Sequence, residues 1–72
     1  MTQTQTPLHH KGPPNVAAAR AQMGIIGDHI QHGRTLDAER AENALLRYVI
    51  DAFREGCEDA DAIANVACPE AP

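Results

Sequence analysis

The sequence predicts a small all-α protein, built as a helical hairpin followed by a short C-terminal helix. Two long stretches carry apolar residues at three- and four-residue spacing, which is the period of one helix face. A glycine stands just beyond each of these stretches, at Gly33 and Gly56, where helices commonly end. No stretch shows the alternation of apolar and polar residues that is typical of a strand.

The chain has 72 residues, enough for one domain but close to the lower limit for a chain that folds alone. Its core is poor in large side chains, because Tyr48 and Phe53 are its only large aromatic residues and much of the apolar fraction is alanine. Small natural domains usually gain stability from disulfides, a metal or a partner chain. We therefore expect a homodimer, in which two hairpins form a four-helix-bundle-like assembly.

The two ends of the chain are expected to lie outside the helical domain. Residues 1–14 are rich in Thr, Gln, Pro and Gly, and we expect them to form a flexible N-terminal arm. The helical domain is predicted over residues 15–68, and residues 69–72 form a tail. Its third helix is predicted at about 59–67, with Ile63 and Val66 directed inward.

The first helix is predicted at about residues 15–32. Asn15 is a favourable N-cap residue. Gly24 and Gly27 lower the helix propensity by up to about 1 kcal/mol each, so this helix needs support from its neighbours. Its apolar residues form a narrow seam suited to an antiparallel helix: Val16, Ala19, Met23, Ile26 and Ile30.

The second helix, at about residues 35–55, is the strongest element. Thr35 is its expected N-cap, and Arg54 lies in its last turn, where a cation favours the helix dipole. Its apolar residues cover an arc of about 200°, whereas a surface helix usually buries a stripe of little more than about 100°. They are Ala38, Ala41, Leu45, Leu46, Tyr48, Val49, Ile50, Ala52 and Phe53. One antiparallel helix cannot cover this arc, so a second copy of the chain is the simplest additional partner.

The apolar residues in the second half of this helix are expected to divide between the core of one chain and a dimer or target interface. Tyr48 and Phe53 are the best candidates for residues that dominate binding, because aromatic side chains are enriched at such positions. The full set is Leu45, Leu46, Tyr48, Val49, Ile50 and Phe53.

A second set of residues is a possible target surface. Ile25 lies away from the seam of the first helix, and His29 and His32 stand near the end of that helix. Three arginines recur every seven residues along the second helix, at Arg40, Arg47 and Arg54. They belong either to a solvated face with ion pairs such as Asp37–Arg40 and Arg47–Asp51, or to a surface for an acidic protein or RNA.

No catalytic, cofactor or metal site is predicted. His29 and His32 could reach one ion together with Cys57 and Cys68, but the spacing of these cysteines is not that of a zinc finger. Glu42 falls inside the apolar arc, yet no nucleophile or second carboxylate is placed to work with it. The chain has no serine and no phosphate-binding glycine loop, so we expect a protein that is not an enzyme.

The leading hypothesis is therefore a small protein-binding modulator, an accessory or inhibitor protein that acts through helical surfaces. Its size and hairpin pattern resemble those of plasmid- and phage-encoded helical regulators in general, a resemblance that assigns no residue. The net charge of −4, with four acids and no base in the last sixteen residues, disfavours nucleic acid as a partner. Two alternatives remain: a nucleic-acid-linked regulator, either an RNA binder or an acidic mimic that blocks a DNA-binding protein, and a metal-responsive module.

We expect a cytoplasmic location and no membrane contact, because there is no signal peptide and no long apolar run.

Overall fold

Three helices make up the fold. The computed structural model describes residues 7–68, so residues 1–6 and the predicted tail lie outside the described part of the chain. The helices are α1 (Val16–Gln31), α2 (Thr35–Arg54) and α3 (Ala60–Ala67), and each packs against both others. The described residues contain no strand. The prediction of an all-α hairpin with a short third helix is confirmed.

A side-chain cap at the start of α1 and a glycine turn at its end define the bounds of this helix. The Asn15 side chain accepts a hydrogen bond from the backbone N–H of Ala18 at 2.8 Å, which confirms Asn15 as the N-cap of α1. Gly33 has a φ of +71°, and the Arg34 N–H donates to the carbonyl of His29 at 2.8 Å. This is the pattern of a Schellman motif, in which a left-handed glycine closes the last helical turn.

A second turn of the same type joins α2 to α3. Gly56 has a φ of +67°, and the Cys57 N–H donates to the carbonyl of Ala52 at 3.0 Å. The prediction of Thr35 as an N-cap was wrong, because α2 begins at Thr35 itself and no side chain caps it. The tight Gly33 turn places Arg34 at the N-cap position instead.

The core is built around small side chains, which let the three helices approach one another closely. Leu45 from α2 and Ile63 from α3 are the largest aliphatic side chains at its centre, with 2% and 0% of their surfaces exposed. The whole set of buried apolar residues comprises Ala18, Ala19, Ile26, Ala38, Leu45, Tyr48, Ala52, Ala60 and Ile63.

The buried face of α1 differs from the seam expected from the sequence. Gln22 is completely buried, whereas Ile30, the last residue of the expected seam, is 61% exposed. The Gln22 side chain donates from Nε2 to the carbonyl of Ala41 at 3.0 Å, which turns this face of α1 toward α2. Ile25, which lies away from the expected seam, is half-buried.

Residues 7–14, part of the segment expected to be a flexible arm, lie against the helices. Leu8 packs on the hydrophobic core, and the Cys57 thiol donates to the carbonyl of Pro14 at 3.2 Å. The Tyr48 hydroxyl lies 2.7 Å from Nε2 of His10 and accepts from the Asn15 N–H at 2.8 Å. Because Nδ1 of His10 faces the Lys11 carbonyl at 3.3 Å and must donate to it, Nε2 is left to accept from the Tyr48 hydroxyl.

The glycines inside α1 give a direct test of its surroundings. A Cβ atom added at Gly24 or Gly27 would meet no atom within 4 Å other than those of its chain neighbours and the adjacent backbone of α1. We therefore expect Gly24→Ala and Gly27→Ala each to raise the free energy of unfolding by about 0.5–1 kcal/mol, as measured by urea denaturation. The matched control Gly33→Ala should lower it by about 1 kcal/mol, because of its positive φ. A loss of stability at Gly24 would instead indicate that another chain approaches α1 closely.

Candidate protein-binding surface

Helix α2 buries one apolar side in its own chain and leaves a second one exposed. Of the residues predicted for a dimer or target interface, Leu45 and Tyr48 lie in the core, and Val49 is half-buried at its edge. The other three remain in contact with solvent: Leu46 is 47% exposed, Ile50 55% and Phe53 52%. We call these three residues the apolar stripe.

The apolar stripe is one continuous surface. Its members are spaced by four and three residues, so they lie above one another on one side of α2. Each half-exposed side chain of this size leaves on the order of 100 Å² in contact with water. The three side chains together leave about 300 Å² of apolar area exposed, at the lower end of the range of the largest patches on monomeric proteins, which are often functional.

An open groove of about 390 Å³ borders the apolar stripe. It lies between the three helices, and Leu46 belongs to both the groove and the stripe. Glu42 stands on the groove wall and is exposed. The remaining walls come from Met23, Ile26, Ile30, Leu45, Ala67 and Cys68. A partner that covers the stripe would therefore also reach the mouth of this groove.

Three exposed arginines follow the opposite side of the stripe. Arg40, Arg47 and Arg54 stand about 10.5 Å apart, because seven residues separate each from the next. We call them the arginine edge. The predicted ion pairs Asp37–Arg40 and Arg47–Asp51 are not formed, since every salt bridge among residues 7–68 involves Asp28. The arginine edge is thus available to a partner.

The histidines of the possible target surface, His29 and His32, form hydrogen bonds within the chain. The Arg34 side chain donates to Nδ1 of His29 at 2.9 Å and to the Asp28 carboxylate at 2.7 Å. His32 donates from Nδ1 to the carbonyl of Asp28 at 2.8 Å. These bonds brace the α1–α2 turn, and they occupy one ring nitrogen of each histidine.

The metal site considered from the sequence is not assembled in the described part of the chain. Cys57 and Cys68 are both free thiols. Residues 7–68 contain no group of three or more His, Cys, Asp and Glu side chains placed to hold a metal ion.

Two features of this surface were not predicted from the sequence. The groove depends on the position of α3, whose last turn supplies Ala67 and Cys68. Leu36 begins the exposed side of α2 and is 59% exposed, and the apolar arc predicted from the sequence does not include it. Its place seven residues before Asn43 and fourteen before Ile50 would have indicated that it shares their side of the helix.

None of the described helices is both long enough and apolar enough to cross a bilayer. Comparisons with protein families, with characterised proteins and with solved structures found no match to this chain.

Proposed function

We propose that this chain is a small helical protein that acts by binding other protein chains, and that its first partner is a second copy of itself. The observation that carries the proposal is the apolar stripe of Leu46, Ile50 and Phe53, which no other element among residues 7–68 covers. Covering apolar area contributes about 25 cal/mol per Å², so each of these side chains would supply on the order of 2 kcal/mol on burial.

Self-association uses one side of α2 and leaves the rest of the molecule free. Each dimer presents two copies of the same outer surfaces, which suits a modulator that engages a target at two equivalent points. In this proposal the chain is an accessory or inhibitor protein that is not itself an enzyme.

The solution mass tests self-association directly. Light scattering on a size-exclusion column, from micromolar to near-millimolar concentration, should give a mass approaching twice the 7.7 kDa of one chain. Ile50→Glu should shift the mass to that of a single chain, because a carboxylate on each copy would be desolvated at the contact. A wild-type mass of one chain at every concentration contradicts the proposal.

A matched control separates contact loss from a charge effect. Ala21 is exposed on α1, and Ala21→Glu changes the net charge by the same amount as Ile50→Glu. This variant should keep the wild-type mass, and circular dichroism should show that both variants remain helical. An Ile50→Glu protein that is folded and still dimeric would remove the apolar stripe from the interface.

The arginine edge supports RNA binding as a second candidate function. Its three side chains are exposed and form no ion pair among the described residues. Binding that falls steeply with salt and is lost in Arg47→Ala would favour this alternative. The net charge of −4 opposes it, and for that reason we place it second.

A further inference from the structure

The outer side of α2 has the residue pattern of a two-stranded coiled coil. Two lines of residues recur with a period of seven along it: Leu36, Asn43 and Ile50 form one line, and Glu39, Leu46 and Phe53 form the other. In the heptad notation abcdefg these are the a and d positions. All six are exposed in the single chain. The residues that α2 buries in its own core occupy other heptad positions, so α2 can serve both contacts at once.

The choice of residues at these positions indicates two strands in parallel. A β-branched residue at a with leucine at d favours parallel dimers; Ile50 and Leu46 follow this rule, whereas Leu36 at a and Glu39 and Phe53 at d do not. A single asparagine at an a position specifies two-stranded pairing and register. In a parallel pair Asn43 faces Asn43 of the second copy, and the two amides can bond to each other. In an antiparallel pair an a position faces a d position, so this amide never faces its own counterpart and, in two of the three possible registers, lies against Leu46 or Phe53.

The charges beside the two lines give independent support. The arginine edge occupies the e positions, and the g positions on the other flank are Thr35, Glu42 and Val49. In an antiparallel pair the e positions of one helix face the e positions of the other, which sets arginine against arginine. In a parallel pair the e flank of one helix meets the g flank of the other, which sets Arg47 against Glu42 of the second copy.

We infer that two copies of this chain associate with their α2 helices parallel, so that Arg47 of each copy pairs with Glu42 of the other. The inference rests on the proposed self-association and adds its orientation. Glu42 stands at the wall of the groove, so the aliphatic stem of the arginine that reaches it would lie over Leu46 and cover the groove mouth. The dimer thereby covers both parts of the exposed apolar surface.

Charge reversal distinguishes the two orientations by the sign of its effect. In the parallel dimer, Arg47→Glu should raise the dimer dissociation constant about tenfold at low salt, because it sets like charges against each other at two symmetric places. Glu42→Arg should act in the same direction, and the double variant should recover the wild-type value to within about threefold. In an antiparallel dimer, Arg47→Glu would relieve repulsion and tighten association. Tighter association, or no recovery in the double variant, overturns the inference.

Cross-linking provides a second measurement that does not depend on charge. In a Cys57→Ser, Cys68→Ser background, Asn43→Cys and Ile50→Cys should each form a disulfide between copies under mild oxidation. The two positions lie about 10.5 Å apart along α2, so an antiparallel pair can bring at most one of them into contact with itself. Dimers that fail to cross-link at one of these positions overturn the parallel arrangement. The wild-type mass reports separately on the proposed function, since a monomer would contradict self-association itself.

Discussion

Replacing Ile63 with alanine is expected to lower the free energy of unfolding by about 2–5 kcal/mol. Ile63 is completely buried and is the largest apolar side chain at the junction of α3 with the other two helices. The change removes three carbon atoms and leaves a cavity. The three packed helices around it cannot easily move to fill that cavity. For a domain of this size the loss is comparable with the whole stability that one core supplies, so a largely unfolded protein is the expected outcome at room temperature.

The measurement is urea denaturation followed by circular dichroism, at a protein concentration low enough to keep association out of the transition. Ile50→Ala is the matched control, because it makes the same chemical change at a residue that is 55% exposed. It should cost less than about 1 kcal/mol of unfolding free energy while it weakens self-association. Equal costs at the two positions would mean that α3 does not pack on the hairpin as described.

The sequence predicted the local features of this fold well, because they depend on neighbouring residues. Asn15 caps α1, and Gly33 and Gly56 end α1 and α2 in left-handed turns. A capping side chain and a glycine act within a few residues of their own position, so their patterns can be read directly from the sequence. The width of the apolar arc of α2 also proved informative, since one part of it is buried and another is exposed.

The orientation of α1 could not be predicted in the same way. Four of its nine apolar residues are alanines, which differ little from one another in the area they can bury, and the larger ones are not confined to one side of the helix. A glutamine at the centre of the buried side runs against the usual rule that polar residues face solvent. Only the position of the Ala41 carbonyl on α2 explains why Gln22 is accommodated there.

Contacts of the N-terminal segment were missed for a related reason. The hydrogen bond between His10 and Tyr48 joins residues 38 positions apart. Nothing in the composition of residues 7–14 reveals which distant hydroxyl will be within reach. For the candidate surface, the sequence could not predict how the apolar residues of α2 divide: Tyr48 is buried inside the chain, whereas Phe53 remains 52% exposed.

This division lets so short a chain fold while the side chains of the proposed interface stay on its surface. The core relies on alanines for close helix packing, and the larger side chains Leu46, Ile50 and Phe53 are kept outside it. Self-association would bury those side chains without any change in the fold of one chain. The same arrangement makes the core sensitive to polar changes, because it has few large apolar residues to compensate for them.

Gln22 is the residue at which that sensitivity is expected to be greatest. Its side chain is completely buried, with Nε2 bonded to the Ala41 carbonyl and Oε1 without a hydrogen-bond partner among the described residues. Gln22→Glu keeps the shape but removes the donor and buries a negative charge. We expect the free energy of unfolding at pH 7 to fall by about 3–5 kcal/mol, which is typical of an uncompensated buried charge.

The pH dependence and an apolar variant test this explanation. Burial would hold the pKa of the introduced carboxyl above its unfolded value of about 4.3. The loss of unfolding free energy caused by Gln22→Glu should therefore be smallest below about pH 4 and should grow as the pH rises through the folded pKa. Gln22→Leu removes the buried polar atoms at similar volume and should leave stability unchanged or raise it by about 1 kcal/mol. Urea denaturation at several pH values measures all three proteins. A large loss in Gln22→Leu as well would show that the bond to the Ala41 carbonyl, and not the cost of burying a charge, determines how α1 packs on α2.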